Sequence, residues 1–144
     1  MPAMASEKTY LAHLRQVPLF AGCSTKELVL IAKAGDEVSV PTGHVICDQG
    51  QTGREAFVLL TGAATVRRNG KKVAELGPGA VLGELALLDH GPRTATAVTT
   101  QPSTLLVLEA RRFSALVLNV PSVGHKMLAA LAGRIRDLDR QIYG

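Results

Sequence analysis

Between residues 6 and 16 apolar side chains recur at helical spacing. Tyr10, Leu11 and Leu14 share one face, and Ser6 stands where an N-cap belongs. Pro18 forces Val17 out of the helical region and ends this first helix. Ser24-Thr25-Lys26-Glu27 has the form of a capping box, and it opens a second helix. Leu28, Ile31 and Ala32 form its apolar face, and the helix stops by Gly35. From Asp36 the period shortens. Glu37-Val38-Ser39-Val40 alternates, Pro41-Thr42-Gly43 turns, and His44-Val45-Ile46-Cys47 reads as a strand. A second turn spans Gly50 to Gly53. Ala56 to Leu60 is an apolar strand ended at Gly62. Ala63 to Arg68 and Lys71 to Leu76 flank Asn69-Gly70, a strong two-residue hairpin signal. Arg93 to Thr100 and Ser103 to Glu109 complete the strands, parted by Gln101-Pro102.

The helical period then returns. Arg111 to Leu118 predicts a short helix, stopped near Pro121, and Pro121 suits the first turn of a longer one, Ser122 to Gln141. Leu128, Leu131, Ile135, Leu138 and Ile142 are spaced three, four, three and four apart, an a/d seam. Such a seam fits a parallel dimer helix or a helix packed on its own β-layer, and two heptads do not choose between them. The fold class is therefore α+β, mainly β. Short strands with tight turns point to a sandwich, jelly roll or barrel. The 144 residues suit one domain, with helices over 1–35, the β-layer over 36–110 and helices over 111–144.

Composition narrows the function. Aromatics are 3% against 47% hydrophobic, so a core of Leu, Val, Ile and Ala is expected. No apolar run approaches the about 18 residues of a membrane span. Met1 to Gln16 carries charges throughout, unlike a signal peptide, which points to the cytoplasm. Cys23 and Cys47 lack metal-ligand spacing and read as small buried residues in a reducing compartment. The net charge of +4 fits anion binding but is too diffuse to argue for nucleic acid. The basic run from Arg67 to Lys72 has no interleaved aromatics and is a solvated hairpin tip. His13, His44, His90 and His125 are scattered, and no Ser/His/Asp, Cys/His or paired-carboxylate arrangement emerges. No catalytic centre and no metal cofactor are expected.

The chemistry concentrates at residues 82–96. Gly77-Pro78-Gly79-Ala80-Val81-Leu82-Gly83 leads into Glu84-Leu85-Ala86-Leu87-Leu88, and Gly91-Pro92 turns into Arg93-Thr94-Ala95-Thr96. A short helix opened after Gly83 would offer the N–H groups of Gly83, Leu85 and Ala86 to a small anion. Arg93, returned by the next strand, would close the cage. Glu84 accepts and does not donate, so it needs a hydroxyl such as that of a sugar. Phosphate and hydroxyl on one small ligand describe a nucleotide. The plainer alternative is a buried Glu84–Arg93 salt bridge with no ligand.

This stretch resembles the phosphate-binding cassette of cyclic nucleotide-binding domains, which runs Gly-Glu-Leu-Ala-Leu, a short turn, then Arg, a small residue, Ala and Thr or Ser. The resemblance extends to Gly50, Gly53 and Gly62 at turns, with Gln51 departing from the acidic residue usual there. It implies an eight-stranded antiparallel β-roll or jelly roll with N-terminal helices, a short cassette helix and a long C-terminal helix. It implies a cyclic 3′,5′-nucleotide, bound and not transformed. Arg93 and the amides of Leu85 and Ala86 would hold the phosphate after Gly83, Thr94 would donate to it from the small position, and Ala95 would fill the alanine position that follows. Glu84 would accept from the ribose 2′-hydroxyl, with Val66 and Leu82 as apolar wall. From the last helix Arg134 would reach the nucleotide, Leu138 would cap the base and Asp137 would meet a purine amino group. Cyclic AMP is favoured over cyclic GMP, although Thr94 also suits a guanine amino group. The resemblance implies closure of the last helix as the signal, a possible homodimer through that helix, and an effector protein that the sequence does not identify. With the chain ending at Gly144, no recognition helix for DNA is expected, and the chain reads as a stand-alone sensor or an excised regulatory domain. Two rivals are a dimerisation module of this fold that no longer binds ligand and a cupin-like metal enzyme. The latter needs a histidine and carboxylate cluster.

Overall fold

A computed structural model describes residues 7–89 and 91–143. Ser6 and His90 lie outside the described residues. Helix α1, Glu7–Gln16, is followed by a 3-10 turn, Pro18–Phe20. Helix α2, Thr25–Lys33, starts on the capping box expected from sequence. Ser24 Oγ accepts from Glu27 N–H at 3.2 Å, and Glu27 Oε1 accepts from Ser24 N–H at 2.7 Å.

Among the described residues, eight antiparallel strands form two four-stranded sheets. The first has the order β1 (Gly35–Val40), β8 (Ser103–Glu109), β3 (Glu55–Thr61), β6 (Val81–Leu82). The second runs β2 (Val45–Cys47), β7 (Thr96–Thr99), β4 (Ala64–Arg68), β5 (Lys71–Leu76). Asn69 and Gly70 both take positive φ, 54° and 79°, as a two-residue turn matching strand twist requires. Two sequence expectations need correction. Glu37 to Val40 alternates in residue type but not in burial. Only Val40 is buried, because β1 is an edge strand held by β8 alone. The strand expected from Arg93 begins at Thr96, because the backbone of Arg93 is drawn to the 50–53 loop instead of the sheet ladder.

Two apolar clusters result. One lies between the helices and the outer face of the first sheet, with Leu14, Leu19, Phe20, Leu28, Leu106 and Phe113. All three phenylalanines are buried, and Phe20 stacks on Phe113 with ring centroids 5.8 Å apart. The core is therefore less purely aliphatic than its composition implied. The other cluster fills the space between the sheets, with Phe57, Leu59, Val66, Ala97 and Leu105.

Helix α3, Ala110–Asn119, meets α4, Pro121–Tyr143, at a 111° bend, with Pro121 opening α4. The root of α4 is buried through Val123 and Met127. Glu27 pins this root to α2: its carboxylate accepts from Ser122 Oγ at 2.5 Å and pairs with Lys126 Nζ. Further along, Leu128, Ile135, Leu138 and Ile142 are exposed, and only Leu131 of the predicted seam packs on the core. No single described helix is long and apolar enough to cross a membrane.

Candidate functional site

The path from β6 to β7 crosses the open end of the inter-sheet space. Gly83 takes φ 69°, a left-handed conformation that turns the chain out of β6. Glu84–Leu87 then forms the short helix expected, wound as a 3-10 turn. This has a chemical consequence. The amide of Ala86 donates to Gly83 O at 3.0 Å, so the i+3 bond engages a donor that an α-helical first turn would leave free. Among the described residues, the Gly83 and Leu85 amides have no backbone acceptor.

Arg93 is held at both backbone ends by the loop after β2. Its N–H donates to Gln51 O at 2.7 Å, and its carbonyl accepts from Gly50 N–H at 2.8 Å. Its guanidinium lies 5.5 Å from the centroid of Phe57, a cation–π distance. Two glycines make room for it. A Cβ on Gly83 would fall 2.3 Å from Arg93 Nη1, and one on Gly53 would fall 2.8 Å from Cζ. The guanidinium thus occupies a slot that only missing side chains leave open.

No Glu84–Arg93 ion pair occurs among the described residues, which removes the ligand-free salt bridge as an account of the motif. Glu84, 17% exposed at its side chain, faces Arg134 Nη1 of α4 at 3.4 Å instead. A cavity of about 450 Å³ opens here. Val66, Leu82, Gly83, Glu84, Leu85, Ala86, Arg93, Thr94 and Ala95 all line it. Its volume suits a small ligand. Arg134 does not line it and reaches it only through Glu84. Leu138 does not line it and is 57% exposed, and Asp137 faces Arg140 at 3.5 Å.

Sequence reading missed Cys47, Gly53, Phe57 and Asp89. Cys47 and Asp89 line the cavity. Cys47 Sγ lies 3.7 Å from Ala95 O, and burial pushes its thiol pKa up, partly opposed by the charge of Arg93. Gly53 reads from the sequence only as a turn residue. Its role beside Arg93 depends on a contact 40 positions away that no local pattern displays. Among the described residues, no group of three or more His, Cys, Asp or Glu is placed to hold a metal ion, the arrangement a cupin-like enzyme needs.

The chain is similar in sequence and fold to known proteins. The family model described as "Cyclic nucleotide-binding domain" matches residues 37–119. The cyclic AMP receptor protein of Thermus thermophilus is 33% identical over 130 residues, covering 87% of this chain and 60% of that one. The chain thus spans under two thirds of that relative's length. The N-terminal domain of a transcriptional regulator from Streptomyces coelicolor A3(2) superposes with TM-score 0.84 at 28% identity, over 89% of this chain and 95% of that one. The regulatory domain of Toxoplasma gondii PKA, crystallised with cAMP, superposes with TM-score 0.69 at 27% identity, over 76% of this chain and 44% of that one. With its β-roll, its cassette and the matching family model, the chain belongs to the cyclic nucleotide-binding domain family.

Proposed function

We propose that this chain is a non-enzymatic sensor that binds cyclic AMP in preference to cyclic GMP. The observation that carries the reading is the guanidinium of Arg93, seated in its glycine slot on a cavity that also holds the carboxylate of Glu84. A cyclic phosphate carries one negative charge, and one guanidinium can neutralise it through charge-assisted, bidentate hydrogen bonds. The Leu85 amide adds a donor. The Ala86 amide joins only if the 3-10 turn relaxes on binding. Glu84 accepts from the 2′-hydroxyl while Val66 and Leu82 cover the ribose and base. Thr94, exposed at the cavity, supplies a hydroxyl to the phosphate. The lean to cyclic AMP is supported by the Thermus relative's name and by the Toxoplasma neighbour's ligand.

Arg134 couples α4 to the site through Glu84, and closure of α4 over the base, with Leu138 brought inward, is the proposed signal. The exposed stripe of α4 suits a second copy of the chain, and the signal passes to an effector protein of unspecified kind. A cytoplasmic setting suits two free thiols.

Calorimetric titration with cyclic AMP and cyclic GMP, on protein stripped of carried-over nucleotide, tests this. Arg93→Ala should weaken binding by more than about tenfold. Glu84→Gln should narrow the preference for cyclic AMP over its 2′-deoxy analogue. Absence of heat with either nucleotide would make the chain a dimerisation module that has lost its ligand.

A further inference from the structure

The tip of the β4–β5 hairpin and the loop after β2 meet beside Arg93, and the bonds between them exceed what a two-residue turn requires. The side-chain amide of Gln49 acts as a short piece of backbone. Its Nε2 donates to Asn69 Oδ1 at 2.8 Å, and its Oε1 accepts from Asn69 N–H at 2.9 Å. The main-chain N–H of Gln49 donates to Thr96 Oγ1 at 2.9 Å, and that hydroxyl donates to Asp48 Oδ1 at 2.8 Å. Arg68 lies two residues beyond the cavity-wall residue Val66 on β4, and so on the same face. Its Nε donates to Thr94 O at 3.1 Å. The backbone carrying the anion-binding guanidinium is therefore gripped at successive points. Gln51 holds its N–H, Gly50 its carbonyl and Arg68 the next carbonyl.

We propose that Gln49 and Arg68 are positioning residues for Arg93. They set its backbone without touching the ligand. Gln49 ties the 48–53 loop to the hairpin tip, and that loop carries the two groups that fasten Arg93. Arg68 closes the other side. The inference rests on the nucleotide reading of the site and specifies how that site is kept in register. The physical reason is preorganisation. A bidentate contact from a planar fork needs a fixed orientation, and a loop that must be ordered at the moment of binding gives up part of the contact's free energy.

The test is a thermodynamic cycle with cyclic AMP as probe. Gln49→Ala and Arg68→Met are each placed in the parent and in Arg93→Lys, which keeps the charge and so keeps binding measurable. In the parent each should weaken binding about three- to tenfold, the worth of one or two net hydrogen bonds. In Arg93→Lys the loss should fall below about twofold, because a flexible point charge depends less on where its backbone sits. The preference for cyclic AMP over its 2′-deoxy analogue should not change, since Glu84 is untouched. Asn69→Gly keeps the positive-φ turn while removing Oδ1, and it should reproduce part of the Gln49→Ala loss in a folded protein. Equal losses in both backgrounds, or full affinity in all three variants, would overturn the proposal. If Arg93→Lys itself binds like the parent, the nucleotide reading of the site fails instead.

Discussion

Replacing Gly83 by alanine separates two costs that a single substitution usually confounds. At φ 69° an alanine meets the steric penalty of the left-handed region, about 1–2 kcal/mol. Its Cβ would also lie 2.3 Å from Arg93 Nη1 and 3.2 Å from the Glu55 carbonyl oxygen. The backbone oxygen moves little, so the guanidinium gives way and leaves its slot. A charged hydrogen bond is worth about 1.5–3 kcal/mol, so cyclic AMP affinity should fall about 10- to 150-fold while stability falls by only the strain. Two other glycines supply the controls. Gly43 has φ 82° with nothing within 4 Å of its Cβ position, so Gly43→Ala should lose stability and keep affinity. Gly77 has neither positive φ nor a neighbour within 4 Å, so Gly77→Ala should change neither. Urea denaturation reads stability and titration calorimetry reads affinity. A Gly83→Ala protein that is destabilised like Gly43→Ala but binds like the parent would refute the slot.

Three further outcomes are expected. The Lys126, Ser122 and Ser24 donors around Glu27 hold its carboxyl down at about 2 against an ordinary 4.5. Its contribution is therefore full above about pH 4.5 and lost as the pH falls towards 2. Urea midpoints measured across that window should drop less steeply in Glu27→Gln, and parallel profiles would dismiss the network. Burial raises both cysteine thiols, so alkylation by N-ethylmaleimide should be slow near neutrality and quicken with rising pH. Saturating cyclic AMP should shield Cys47, on the cavity wall, and leave Cys23 at its own rate, as peptide mass mapping would show. Finally, Ile135→Glu with Ile142→Glu should shift any dimer seen by sedimentation to monomer, and an unchanged sedimentation coefficient would place that contact elsewhere.

What the sequence made legible was local. Ser24 and Glu27 are three residues apart and announce their helix, and Asn69-Gly70 announces its hairpin. The candidate site is legible because most of the residues that line the cavity fall in one stretch, 82–96. What escaped was long-range. Glu27 looks complete as a cap, yet its second task is to receive Lys126 from another helix, 99 positions away. Sequence alone leaves a Glu84–Arg93 salt bridge as the plainer alternative to two separate roles. The fold instead gives the carboxylate to Arg134 and the guanidinium to Phe57. The seam on α4 was visible, but its exposure was not, because periodicity reports a face and not what covers it.

Helix α4 has mechanical character. It is clamped to α2 up to Met127 and bare along much of its length beyond. From Met127 to Ile142 the helix extends about 22 Å at 1.5 Å per residue. In the closure proposed above it would work as a lever with its fulcrum at the root and Arg134 roughly halfway along. A tilt of about 10° about that fulcrum carries the far end through about 4 Å while the mid-arm moves about 2 Å. Four ångströms is the whole range over which apolar side chains count as touching. In the proposed closure, a displacement of about 2 Å beside the cavity wall would be large enough, at the tip, to make or unmake an entire contact surface.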